Sequence, residues 1–338
     1  MRFLKIVLVA TLVVAVVSPL AGAQERTIFL ERGSGSGSSP MNVAYHPGFE
    51  QYYASNGGNP TFGAWVYNKD GGPPIQNTVA NIDVRAWNYN PSEDQLEVCS
   101  YNAKGGGGAN GLIKPGLDGD GLLTGETTVL LASVPGLIST QTMPAYDPGN
   151  DVLYSRDRAA TVNVAERSDG SFVRSFELSG APTLTSYAIG YDEAAKLIIV
   201  TTTSGNRALA YDTDGNPAGE WNLDIAVLSS YGMGYTNGQL FAFDSARNGW
   251  QGYDLGLAGV DCDLIKKLKV KCRNNKLKAI VKSSLPEGTQ MTIIENGKET
   301  VVTTNAKGKA KMKKKGQTGI HDVSIKECPE FEGQVDCG

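Results

Sequence analysis

The chain has 338 residues, of which 41 are Gly, 15 Pro and 14 Tyr, with only two His. Charged residues make up 20% and apolar residues 41%, with a formal net charge of -4. That is enough apolar material for a core and too little net charge for a disordered chain. The glycines follow no three-residue period, which excludes a collagen and points to short strands joined by tight turns.

In chain order, residues 1–23 read as a secretory signal peptide. Arg2 and Lys5 precede an apolar run over 6–17, and Ala21-Gly22-Ala23 supplies the small residues of a cleavage site. About 12 apolar residues are too few to cross roughly 30 Å of hydrocarbon. No Cys follows the small-residue box as a lipid anchor would require, and no later segment is apolar enough to span a bilayer. The expectation is a secreted mature chain (periplasmic, extracellular or cell-surface) without a transmembrane segment, meeting an oxidising compartment.

A repeat follows. Tyr45, Tyr89, Tyr146, Tyr191 and Tyr235 each end a short apolar stretch and run into a turn, at spacings of 44, 57, 45 and 44. The long interval contains the Gly-rich stretch over 103–115. Each unit continues with further apolar runs, such as Val152-Leu153-Tyr154 and Thr161-Val162-Asn163-Val164. Asp-Gly turns recur at Asp70-Gly71, Asp169-Gly170 and Asp214-Gly215, with Asp118-Gly119-Asp120-Gly121 in the lengthened unit. Asp-Gly between strands predicts hairpin turns with both central residues at positive φ. Four short strands per unit of 40 to 45 residues is the signature of a β-propeller blade. The fifth unit ends one strand short, and residues 27–31 offer a lone strand, followed by a flexible linker over 33–39. The expected fold is all-β: a five-bladed β-propeller over 24–259, closed by the N-terminal strand. These blades, with their Tyr-Asp-Pro-Gly and Tyr-Asp-Thr-Asp-Gly turns, resemble the secreted bacterial propellers of the broad NHL, YVTN and quinoprotein-like class. That resemblance implies a fold and assigns no activity.

From residue 260 the pattern changes. Leu268-Lys269-Val270-Lys271-Cys272 alternates as a half-buried strand should, and Asn296-Gly297 marks a hairpin. Six predicted strands suggest a small Ig-like β-sandwich over 260–338. Cys262, Cys272, Cys328 and Cys337 are the disulfide candidates, with three pairings open. Cys99 is left over and reads as a buried small hydrophobe. No C-x-x-C spacing occurs, so neither a metal site nor a cofactor is expected.

Charge is divided between the two parts. Residues 24–259 carry 13 Lys and Arg against 25 Asp and Glu, whereas 260–338 carry 16 against 10. The basic residues include Lys307, Lys309, Lys311, Lys313, Lys314 and Lys315. They read either as a solvated edge strand or as an anchor for an anionic surface polymer. Nucleic acid is not expected, because no aromatic stacking platform is interleaved with the cations.

Propeller topology would place Arg85, Lys104, Lys114, Arg156, Arg158, Arg207 and Arg247 on the loop-rich face, as candidates for capturing a carboxylate, sulfate or phosphate. Catalytic constellations are absent: His46 sits in a turn slot, there is no G-x-S-x-G elbow, and the inner strands are small and apolar. A metal-dependent lactonase would need Glu and Asn ligands there, and only Asn42 and Asn88 are near. The expected function is non-catalytic binding of an extracellular glycan or protein on the loop face, with the basic module as an anchor. The alternatives are a hydrolase or lyase acting on an anionic polysaccharide, and a structural envelope protein.

Overall fold

The computed structural model describes residues 24–101, 111–257, 262–285, 289–305 and 307–338; the expected signal peptide lies outside them. The described chain is all-β, with a 3-10 turn at Cys262–Leu264 as its one helical element.

Strand β1 (Arg26–Glu31) comes first. Four antiparallel sheets follow, each with its strands side by side in chain order. The first comprises β2 (Ser39–His46), β3 (Gln51–Gly57), β4 (Gly63–Asn68) and β5 (Gln76–Val79). The second holds β6 (Val84–Asn90), β7 (Gln95–Ser100), β8 (Gly111–Leu117) and β9 (Leu123–Leu131). The third is β10 (Ala145–Asp147), β11 (Val152–Arg156), β12 (Thr161–Glu166) and β13 (Phe172–Glu177). The fourth is β14 (Gly190–Asp192), β15 (Leu197–Thr201), β16 (Arg207–Asp212) and β17 (Pro217–Asn222). A fifth sheet contains β18 (Met233–Thr236), β19 (Gln239–Asp244) and β20 (Gly249–Asp254), and β1 takes its fourth place, antiparallel to β20.

The first strands of these sheets touch in a closed cycle: β2 packs on β6, β6 on β10, β10 on β14, β14 on β18, and β18 on β2. This is a propeller-type arrangement, and it buries apolar faces between neighbouring sheets. Trp65, Trp87 and Trp250 are fully buried. Each indole N–H still finds an acceptor, in Ser34 O, Ser55 Oγ and Met41 O respectively, which removes the cost of burying an unpaired donor. Inner strands approach closely where side chains are small. A Cβ added to Gly190 would lie 2.7 Å from Cβ of Tyr235, and one added to Gly234 would lie 2.6 Å from Cβ of Asn42.

Two local expectations change. The stretch between β1 and β2 is not a free linker: Ser34 O accepts from Trp65, Ser36 O from Asn56 and Gly63, and Gly37 O from Asn56. In the Asp-Gly turns the Asp does not adopt positive φ. Gly170 and Gly215 have φ of 76° and 85°, while their Asp neighbours do not enter that region. A bulge follows each of these two turns, where the pairing steps from Ala165–Phe172 to Val164–Arg174 and from Tyr211–Pro217 to Ala210–Gly219. The cause is side-chain capture of the backbone, which favours a tight local turn. Asp169 Oδ1 accepts from Ser171 N, and Asp212 Oδ1 accepts from Asp214 N and Asn216 N.

Beyond the ring lie seven more strands: β21 (Ile265–Arg273), β22 (Lys276–Ser283), β23 (Gln290–Glu295), β24 (Lys298–Thr303), β25 (Lys309–Lys315), β26 (Ile320–Ile325) and β27 (Glu332–Asp336). They form two sheets, ordered β21-β22-β25 and β24-β23-β26-β27. Both contribute to one buried cluster that includes Leu277, Val281, Met312, Ile293 and Ile325. The seventh strand escaped the sequence reading because Val335 is its one apolar residue. Disulfides join Cys262 to Cys328 and Cys272 to Cys337. No helix among the described residues is long and apolar enough to cross a membrane.

Candidate functional site

The tyrosines that mark the repeat are the penultimate residues of β2 and β6, the middle residues of β10 and β14, and the third of four in β18. That common register brings them to one end of the inner strands. There Tyr45, Tyr89, Tyr146, Tyr191 and Tyr235 line an open depression of about 690 Å³, together with Pro47, Pro91, Pro148 and Asp192. This is the side of the turns between the first and second strands of each sheet, opposite the loop-rich face favoured by the sequence.

The phenols are held in different ways. Tyr89 Oη donates to Asp94 Oδ1 at 2.8 Å, and Tyr146 Oη to Asp151 Oδ1 at 2.8 Å. Tyr191 and Tyr235 lie beside Asp147 and Asp192 of the preceding sheet, yet neither buried hydroxyl makes a hydrogen bond of normal geometry. Asp192 is 3% exposed; its Oδ1 accepts from Ala195 N, and its carboxylate faces the Tyr235 hydroxyl. Burial, followed by the neighbouring carboxylates, pushes these phenols up, Tyr89 to about 12. The lining therefore offers neutral rings and hydroxyls with the Asp192 carboxylate among them. Flat apolar surfaces beside a few polar groups suit a ligand with both characters.

His46 stands just outside this ring, 2% exposed, between Phe49 and Tyr89 at ring separations of 4.6 and 4.8 Å. Burial lowers its pKa against the opposing effect of Asp94, so the imidazole is neutral near pH 7 and acts as packing. Asn42 is also committed to the framework, exchanging hydrogen bonds with Trp87 N and O at 2.8 Å each. Asn88 bridges Pro144 O and Tyr146 N in the same way.

The loop-rich mouth lies at the other end of the inner strands. Four residues before each marker tyrosine the chain places Met41, Arg85, Thr142, Tyr187 and Tyr231. Tyr187 and Tyr231 stack with centroids 5.2 Å apart and planes 17° apart. Both have positive φ, 69° and 58°, an uncommon backbone state for an aromatic residue. Arg158 Nε donates to Tyr187 Oη at 3.0 Å, and Tyr231 Oη donates to Gln141 Oε1 at 2.9 Å. Arg85 lies 4.8 Å over the Tyr101 ring and pairs with Asp83 at 2.6 Å.

Of the seven predicted cations, Arg158 lies at the mouth, while Lys104 lies outside the described residues. Arg156 is a correction: it is 0% exposed, and its guanidinium donates to Thr185 O, Ala188 O and Ala159 O between the third and fourth sheets. Arg85, at 6% exposure, is likewise held inside. Lys114 sits mid-strand on β8 opposite Thr128. Arg207 pairs with Glu220 at 2.6 Å, and Arg247 lies 3.8 Å over Phe29. A loop position in sequence did not reveal these internal partners. The tyrosines, used in the sequence as markers of period, were the visible signal for the depression. Among the described residues, one grouping has metal-ligand spacing, Cys262, Cys328 and Glu330, and its two sulfurs are joined in a disulfide.

No family model and no curated protein matches this chain. Among solved structures it is similar to the glutaminyl cyclase of Myxococcus xanthus, at 14% identity and a TM-score of 0.43, over 69% of this chain and 97% of that one.

Proposed function

We propose that this is an exported, non-catalytic binding protein that holds a glycan in the tyrosine-lined depression of a five-bladed β-propeller spanning 24–259. An Ig-like module over 260–338 serves as its anchor. The closed cycle of inner strands supports the blade count. The sheet orders β21-β22-β25 and β24-β23-β26-β27 support the Ig-like reading, differing from a constant-type Ig domain in that the fourth strand pairs with the third. The disulfides and the leader sequence support export.

The observation carrying the function is the convergence of five tyrosines around about 690 Å³, with Asp192 in the lining beside Tyr235. Pyranose rings present C–H faces to aromatic rings, and their hydroxyls donate to a carboxylate. A glycan-array screen of residues 24–338 tests this. Tyr89→Ala and Asp192→Asn should each weaken a captured glycan by about tenfold, the loss of one good hydrogen bond or stacking contact. Unchanged binding in both variants overturns the assignment. The stacked Tyr187–Tyr231 pair with Arg158 favours a second reading, an anionic glycan at the loop-rich mouth. Loss of binding in Arg158→Ala alone would select it, and cleavage of the captured glycan would select the hydrolase or lyase reading.

A further inference from the structure

The outward face of the β21-β22-β25 sheet is a lattice of cations. Residues directly opposite one another in an antiparallel pair share a face, so the register defines four rows across the three strands. They are Lys267-Lys282-Lys309, Lys269-Ile280-Lys311, Lys271-Lys278-Lys313 and Arg273-Lys276-Lys315. Eleven of the twelve positions are basic and none is acidic. The alternate residues Leu277, Ala279, Val281, Ala310 and Met312 are buried on the inner side. Lys314 also points inward, to Glu295 at 2.5 Å. Among the described residues none of the eleven forms an ion pair; the lysine ion pairs of these sheets use Lys314 and Lys326.

We propose that this face adsorbs to an anionic phospholipid bilayer. The inference rests on the anchor reading given above and names what the anchor meets. Like charges directly opposite each other destabilise a sheet, so the lattice is costly unless an outside anion compensates it. Neighbours lie about 4.8 Å apart between strands and about 6.8 Å apart along them. A single extended polyanion would follow one row and leave the others uncompensated, whereas a plane of phosphates meets all four rows together. Ten of the eleven are Lys, a hydrated point charge suited to diffuse phosphate attraction, not the bidentate fork of Arg. The face has no aromatic residue for stacking bases, and Ile280 is its one apolar side chain, so contact is adsorption without insertion.

Co-sedimentation of residues 24–338 with phosphatidylcholine vesicles, with and without phosphatidylglycerol, tests the proposal. Binding should require phosphatidylglycerol and fall steeply between about 50 and about 300 mM salt as the Debye length shrinks. Changing Lys269, Lys271, Lys311 and Lys313 to Gln should reduce it by more than about a hundredfold. The same variant should melt higher, because like-charge neighbours are relieved; that result separates loss of a surface from loss of fold. Changing the off-lattice Lys266, Lys298, Lys307 and Lys326 to Gln should leave most of the binding. Equal losses in the two variants overturn the proposal in favour of net charge alone. Binding to a soluble polyuronate but not to vesicles overturns it while sparing the anchor reading, and binding to neither removes both. Self-association in low salt that the lattice variant abolishes would show that the face meets the acidic ring of a second copy, which also overturns it. Glycan capture by the depression is scored separately and does not depend on these outcomes.

Discussion

The five ring sheets and the two C-terminal sheets use the same material, short antiparallel strands, and hold it together by different means. In the ring, each sheet leans on two neighbours, and aromatic rings and buried polar groups fill the seams. Arg167 spans one seam, pairing with Glu97 of the second sheet and with Glu93 at 2.9 Å. The C-terminal sheets enclose one small cluster and add two disulfides that tie the first strand region to the last. Turn chemistry differs too. Asn274-Asn275 and Asn296-Gly297 have positive φ at both residues and close two-residue hairpins, as primed turns do; the ring has such a turn at Asn237-Gly238, but its hairpins at Asp169-Gly170 and Asp214-Gly215 carry bulges. The lesson concerns size: a large ring can rely on packing between sheets, while a small pair of sheets needs covalent support.

Reduction is the strongest way to break this comparison. Each disulfide closes a span of 65 or 66 residues, worth about 4 kcal/mol in the chain-entropy model. Calorimetry in a phosphine reductant should lower the transition of the C-terminal sheets and leave that of the ring unmoved, since Cys99, the ring's cysteine, is unbonded and buried. If both transitions fall together, the two regions unfold as one unit and the contrast fails.

The seam chemistry can be tested next. Arg167→Ala leaves the Glu97 carboxylate, 1% exposed, with hydrogen bonds from the Asn90 and Gln95 amides but no counter-charge. Breaking a buried pair in this way costs about 3 kcal/mol, to be read from urea unfolding of the ring. A change below about 1 kcal/mol would mean that the seam is held by apolar packing alone.

The smallest effect separates the regions by pH. His46 has a lowered pKa, so the unfolded ring takes up its proton first and the ring loses stability as pH falls below about 6.5. Glu295 loses its contribution in the same direction but at lower pH. Burial opposes its ionisation, but hydrogen bonds from Lys314 and His321 outweigh that and hold its pKa below the usual carboxylate range. Its contribution is present above about 4.3 and is lost as pH falls through the lowered folded value. Melting curves between pH 7 and 5 should therefore show the ring losing stability as pH falls, an effect removed by His46→Gln. A loss that persists in that variant would contradict the assignment to His46.

The ring was legible in the sequence because its period was written in residues that the fold needs at one register, the five tyrosines and the turns after them. The lysine alternation of β21 and β25 was equally plain, since a strand with one buried face must alternate. The register joining those strands into a lattice was not legible, because pairing across separated strands is set by tertiary packing. Arg156 was misplaced for a related reason: three backbone carbonyls from two loops form its cage, and no local pattern announces them.

Strand β1 has a consequence for the order of events. Its Ile28 carbonyl accepts from the Gln251 side chain, 223 positions along the chain, so the first strand to be made waits for nearly the last ring strand. The hairpins of each sheet can form from near neighbours, but this pairing carries a far longer sequence separation and should come late. Until then β20 presents an unpaired edge, the kind that recruits stray strands. Time spent in that open state, rather than the stability of any one sheet, sets the interval during which the newly made protein is exposed to aggregation.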